Sequence, residues 1–199
     1  DEGINSILIH EPGNTMLGEQ VRKWVKSKNI QNPLAETYLF CAARAELCKS
    51  VIGPALDKGV TVIVDRFIHS TLAYQGYGKG VDLEIINNLN KITIEDYKPD
   101  LTILLDIDPN ISSNRINKSV NIELSSLEKS KKNKRENFEG NRFENMNINF
   151  HNKVRNGYLE MANSDRSSWS IVGAQQSEAR VADSIWKRVK RLIETHKIT

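Results

Sequence analysis

The chain has 199 residues, with 28 basic against 25 acidic side chains and a net charge of +3. It is long enough for one sizeable α/β core, and its near-balanced charge argues for no nucleic-acid partner. No apolar run approaches the roughly 20 residues of a membrane span, and the N-terminus lacks a secretory pattern, so no membrane partner is expected either.

The elements follow from hydrophobic spacing. Residues 4–9 read as a strand and 15–27 as a helix, with Leu17, Val21, Trp24 and Val25 at helical intervals. Pro33 opens a helix at its first turn, and 34–56 continue it with few breakers. Cys41 and Cys48 lie on it, about 10 Å apart along the axis. That is too far for a disulfide, so both read as reduced core thiols of a cytoplasmic protein. Residues 60–64 form the second strand, continuously apolar or β-branched. Residues 82–94 form a helix carrying Leu83, Ile86, Leu89 and Asn90 in register. The third strand spans 101–107. A helix over 143–162, a strand over 169–172 and a helix over 177–195 complete the series. Strands alternating with helices predict right-handed crossovers and a parallel sheet. The unbroken apolar character of 60–64 and 101–105 predicts strands covered on both faces. Between residues 117 and 140, Lys129, Lys131, Lys132, Lys134 and Arg135 stand among Ser and Asn. That run reads as a mobile, solvated segment, either a charged surface loop or a cationic lid over phosphates.

Ligands of open α/β sheets bind at the carboxyl ends of strands. Those ends here are His10-Glu11-Pro12-Gly13, Asp65-Arg66 and Asp106-Ile107-Asp108-Pro109. Asp65-Arg66 is either an exposed ion pair of little energy or a phosphate-binding guanidinium beside a carboxylate that orients a hydroxyl, a water or a Mg²⁺ shell. In Ser70-Thr71-Leu72-Ala73-Tyr74-Gln75-Gly76-Tyr77-Gly78, Gln75 can donate to and accept from a pyrimidine edge. Tyr74 offers a flat face, and the glycines permit close backbone approach. The plainer reading of that run is a helix that ends in a glycine turn with Tyr74 in the core. The first residue is Asp1, not Met, and incompleteness at the start is expected.

The run from Asp65-Arg66-Phe67 through Ser70-Thr71-Leu72-Ala73-Tyr74-Gln75-Gly76 resembles the signature of bacterial thymidylate kinases. Other segments are similar in the same order: Glu11-Pro12-Gly13-Asn14-Thr15 with Leu17-Gly18-Glu19, Leu34-Ala35-Glu36 to Arg44, and Pro99-Asp100-Leu101-Thr102 with Leu105-Asp106. Asn141-Arg142-Phe143-Glu144, Phe150-His151 and Val154-Arg155-Asn156-Gly157-Tyr158 follow. The resemblance implies an α/β, P-loop-kinase-like parallel sheet flanked by helices, in one domain over 1–199 with a lid region at 115–142 that carries a basic insertion. It implies a nucleoside monophosphate kinase that transfers the ATP γ-phosphoryl group to dTMP with Mg²⁺, working as a homodimer packed through helices. Phe40 would stack on thymine, and Arg44 would bond its edge or approach the phosphate. Thr71 and Gln75 would read the base, Tyr74 would lie against the deoxyribose and disfavour a ribose 2′-hydroxyl, and Glu11 would sit by the sugar or the phosphate end. Arg66 would bind the dTMP phosphate, and Asp65 would position that phosphate or, through water, the metal. Arg115 and Arg142 would bring cations to the ATP γ-phosphoryl.

The sequence departs from the family pattern in several places. No Gly-x-x-x-x-Gly-Lys-Ser/Thr phosphate loop occurs in it. The family's first, central strand, the loop and the first helix are therefore expected to be absent from this chain, leaving two inner strand edges unpaired and the chain inactive alone. His10 stands where the family usually has arginine, Asn14 replaces a glycine, Asn141 an aspartate, and Gly173 an acidic or amide residue. The competing expectation is a catalytically dead relative that binds a nucleotide or a partner. A kinase of another nucleoside monophosphate is disfavoured by Tyr74-Gln75 and Arg44.

Overall fold

The computed structural model describes residues 3–27, 30–113, 115 and 146–196. The basic run at 117–140, Asn141 and Arg142 lie outside the described residues. The chain divides into two compact units. One comprises residues 1–99 with 156–158, the other 100–155 with 159–199.

The first unit opens with β1 (Ser6–His10) and α1 (Met16–Lys26). Thr15 caps α1, its side chain accepting from the Gly18 N–H at 2.9 Å. Next comes α2 (Pro33–Leu47), with Pro33 in the first turn and the Asn32 side chain accepting from Leu34 and Ala35 N–H. The predicted helix over 34–56 is not uniform. At Cys48–Ile52 the backbone widens into a π-type turn before the short α3 (Gly53–Leu56). Then follow β2 (Thr61–Asp65), the short α4 (Ile68–Thr71), a second π-type stretch at Leu72–Gly78, and α5 (Leu83–Ile94) with Asp82 as its cap.

β1 and β2 pair in parallel, Ser6 opposite Thr61 and His10 opposite Asp65. Ile9 packs with Leu47, Cys48, Ile52, Phe67 and Ile94, and Ile7, Val62 and Val64 join them on the same sheet face. The other face, with Leu8 paired to Ile63, is exposed. That differs from the double coverage predicted from the apolar run at 60–64. Side chains alternate across a strand, and Leu47, Cys48, Ile52 and Ile94 from the helices pack on the Ile9 side. A second cluster, Val21, Val25 and Ala43 with Leu39 and Phe40, joins α1 to α2.

The second unit holds β3 (Thr102–Asp106), most of α6 (Ile148–Ser164), β4 (Trp169–Gly173) and α7 (Glu178–His196). β3 and β4 are parallel, Thr102 opposite Trp169 and Asp106 opposite Gly173. Leu105 and Ile171 are exposed here too. Among the described residues the four strands thus pair two by two rather than in one continuous sheet.

Candidate functional site

The turn after β1 is held by its own polar groups. The Glu11 N–H donates to the Asp65 carbonyl at 3.0 Å, joining the two strand ends. The Asn14 side chain accepts from the His10 N–H at 2.8 Å, and the Asn14 N–H donates to Glu19 at 3.1 Å. Asn14 sits at φ 60, a left-handed conformation that asparagine tolerates better than most residues. Asparagine in place of a glycine therefore keeps this turn. Gly18 is required by space, because a Cβ there would lie 2.7 Å from the Gly13 carbonyl oxygen. His10 Nε2 lies 3.5 Å from the Glu19 carboxylate.

Behind the turn lies a buried polar wall. Arg44 donates from Nε and Nη2 to the two Glu11 carboxylate oxygens at 3.1 and 2.5 Å. It also donates to Asn90 Oδ1 at 2.6 Å, to Thr71 Oγ1 at 2.7 Å, and to Cys41 Sγ at 4.0 Å. Its guanidinium has five N–H groups, and these contacts use all of them. Arg44 therefore meets a ligand only by surrendering one. Burial pushes the Glu11 carboxyl above its usual range, with Arg44 opposing it. Desolvation pushes the Cys48 thiol up to about 11, and both cysteines are free and buried, as their spacing predicts.

Gln75 and Thr71 stand one turn apart, and both are buried. Gln75 Nε2 donates to Glu36 Oε1 at 2.7 Å. Phe40, half-buried, lies on α2 between Glu36 and Arg44. The structure thus brings Glu11, Phe40, Arg44, Thr71 and Gln75 to one helix-lined wall.

Arg66 and Tyr74 form a second group. Arg66 follows β2 at φ 66, a conformation that disfavours a non-glycine residue and marks positions where backbone strain serves a site. Its guanidinium lies 4.9 Å over the Tyr74 ring. Tyr158 meets Tyr74 edge-on at 6.5 Å and shares a 2.8 Å hydrogen bond with Ser70. Desolvation pushes the Tyr158 hydroxyl up to about 12, against the Ser70 bond. Asp65 is exposed at the end of β2.

In the second unit, Arg115 donates from Nη1 and Nη2 to the Ala174 and Gln175 carbonyls at 2.8 and 3.1 Å. Arg155 binds Asp106 through both carboxylate oxygens at 2.7 and 2.9 Å. That bond, outweighing desolvation, holds the Asp106 carboxyl below its ordinary range. Sequence reasoning assigned no role to Glu36, Lys79, Asn90, Ser70, Tyr158 or Arg155. For Glu36 and Asn90 a signal existed, since each is a polar residue on an apolar helix face.

The family model described as thymidylate kinase matches residues 1–185. The chain is 42% identical over 168 residues to the thymidylate kinase of Wolbachia sp. subsp. Brugia malayi, covering 84% of this chain and 71% of that one. It is 34% identical over 194 residues to that of Thermomicrobium roseum, covering 98% and 84%. The crystal structure of thymidylate kinase from Ehrlichia chaffeensis superposes with a TM-score of 0.67 at 28% identity, covering 93% of this chain and 80% of that one. The chain belongs to the thymidylate kinase family.

Proposed function

From that membership we propose that the first unit binds dTMP as the phosphoryl acceptor, in the reaction by which ATP and dTMP give dTDP. One observation carries the reading. On either side of Phe40, the bridged pairs Arg44–Thr71 and Glu36–Gln75 leave one polar function each on Thr71 and Gln75. The Thr71 hydroxyl proton and the Gln75 carboxamide oxygen have no partner among the described residues. A donor and an acceptor one helical turn apart match the adjacent carbonyl and N3–H of thymine, with Phe40 available to stack on the ring. Arg44 and Glu11 hold Thr71 in place from behind. Arg66, exposed at the strand end over Tyr74, binds the acceptor phosphate, and Tyr74 borders the deoxyribose.

Phosphoryl transfer depends on positioning and charge neutralisation. Arg142 and Arg115 are proposed as lid cations for the γ-phosphoryl group, Arg115 after release from the Ala174 and Gln175 carbonyls. Among the described residues no group of three or more His, Cys, Asp or Glu could hold a metal. Mg²⁺ needs no such cage, because it commonly takes one or two carboxylates with substrate phosphates and water; Asp65, alone and exposed, fits a water-mediated contact. Mg²⁺ on the ATP phosphates supplies charge neutralisation when bound. Exposed Leu17, Trp24 and Tyr38 on α1 and α2 support a homodimer packed through helices, and the free thiols support a cytoplasmic setting.

Residues 1–199 contain no Gly-x-x-x-x-Gly-Lys-Ser/Thr loop, whose N–H groups and lysine hold the ATP phosphates in such kinases. By themselves they are proposed to bind dTMP without turning it over. The test is thermal unfolding with and without dTMP, together with an assay for dTDP in ATP and Mg²⁺. dTMP is expected to raise the unfolding temperature, and Arg66→Ala to weaken binding about tenfold or more. No dTDP is expected. Turnover above the Arg66→Ala control overturns the inactivity. A chain that dTMP does not stabilise is the catalytically dead relative.

A further inference from the structure

Glu36, Phe40 and Arg44 recur every four residues along α2 and share one face. Gln75 and Thr71 share a face of the segment opposite. Glu36 meets Gln75 and Arg44 meets Thr71, so the two run in opposite senses. At one end of this wall the Arg44 guanidinium is saturated. The Glu36 end is built differently. Glu36 is 1% exposed, and its Oε1 accepts from both Gln75 Nε2 at 2.7 Å and Lys79 Nζ at 2.5 Å. Lys79 follows the π-type stretch. There Gly80, at φ 79, and the Val81 N–H bonded to the Gln75 carbonyl at 3.0 Å turn the chain back.

We propose that the Glu36–Lys79 ion pair is a positioning device that sets the Gln75 carboxamide and so decides which pyrimidine edge the site accepts. The inference rests on the reading of this wall as the dTMP site. An ionised carboxylate only accepts hydrogen bonds, so the amide nitrogen of Gln75 must face Glu36 and the amide oxygen must face away. A carboxylate this deep is retained only with a counter-charge, and Lys79 supplies it. Gln75 is 1% exposed, and its oxygen has no donor among the described residues. A buried acceptor without a donor is costly, so the site calls for an N–H from its ligand. Thymine and uracil carry a hydrogen on N3. Cytosine presents a lone pair there and is refused, as is a thymine methylated at N3. Removing Lys79 takes away the counter-charge that keeps Glu36 an acceptor only, and Glu36→Gln can donate as well as accept; either change frees the amide to turn over, and the preference for an imide edge goes with it.

The test is calorimetric titration of the full chain with dTMP, dUMP, dCMP and N3-methyl-dTMP. The wild type is expected to bind dTMP and dUMP about tenfold or more tighter than the other two. Glu36→Gln and Lys79→Met are expected to lower the dTMP-to-dCMP preference by about tenfold, and Lys79→Arg to retain it. A merely structural pair would lower the unfolding temperature and weaken all four nucleotides alike; an unchanged preference in Lys79→Met therefore overturns the proposal. If Glu36→Gln does not fold, Lys79→Met and N3-methyl-dTMP still decide. Wild-type chain that binds N3-methyl-dTMP as well as dTMP overturns the proposal and leaves the dTMP site standing. Wild-type chain that binds none of the four removes the site and the proposal with it.

Discussion

Among the described residues each unit carries an arginine gripping a carboxylate through both oxygens, and the two grips differ in what surrounds them. Arg44 and Glu11 have side chains 1% and 2% exposed, and Arg44 is further bonded to Asn90 and Thr71. Arg155 and Asp106 are 33% and 21% exposed. A guanidinium–carboxylate pair in water contributes little, because both ions are nearly as well solvated apart. Buried, the same pair contributes little net against an apolar replacement. Breaking it from one side, however, leaves an unsolvated charge. The buried grip thus makes the wall of the proposed nucleotide site intolerant of change, while the exposed one joins Arg155 to the end of a strand.

The sharpest break of this comparison is Arg44→Ala. It strands Glu11 and takes the donor from Asn90 Oδ1 and Thr71 Oγ1, and is expected to cost about 3–5 kcal/mol in urea unfolding followed by circular dichroism. Restoring neutrality with Glu11→Leu beside Arg44→Met should recover part of that loss in a double-mutant cycle; no recovery would mean that the penalty is a cavity rather than a stranded charge. Arg155→Ala in the second unit is expected to cost about 1 kcal/mol or less by the same measurement, and an equal cost at the two arginines would erase the distinction.

Acidity separates the pairs more finely. Asp106 has a folded pKa below its ordinary value, caused first by the Arg155 hydrogen bond. Its contribution is present above the unfolded value, 3.8, and is lost as pH falls through the folded value. Glu11 is shifted the opposite way by burial. Its contribution is present below the unfolded value and is lost as pH rises through the folded one. Unfolding curves taken from pH 6 down to about pH 2 are therefore expected to lose a small acid-side decline in Arg155→Ala. An unchanged profile would mean that Asp106 is held by something other than Arg155.

Local features were legible in the sequence. Thr15, Asn32, Pro33 and Asp82 start the helices their side chains mark, because a cap is satisfied within three residues of itself. The family motifs named residues that the fold brings to one wall, since Phe40, Arg44, Thr71 and Gln75 are spaced by helical turns. What those side chains bond to was not legible. Arg44 finds Glu11 33 positions away and Asn90 46 away, and Glu36 finds Gln75 39 away. No local pattern encodes such pairings, so the saturation of Arg44 and the pairing of Glu36 with Gln75 and Lys79 needed the fold. The same holds for coverage. The apolar runs at Val60–Val64 and Leu101–Leu105 determined that strands form there, by steric preference and alternation. Whether a strand's second face is covered depends on which helices pack against it. Only the tertiary structure decided that Leu8 and Ile63 face outward and that the four strands pair two by two.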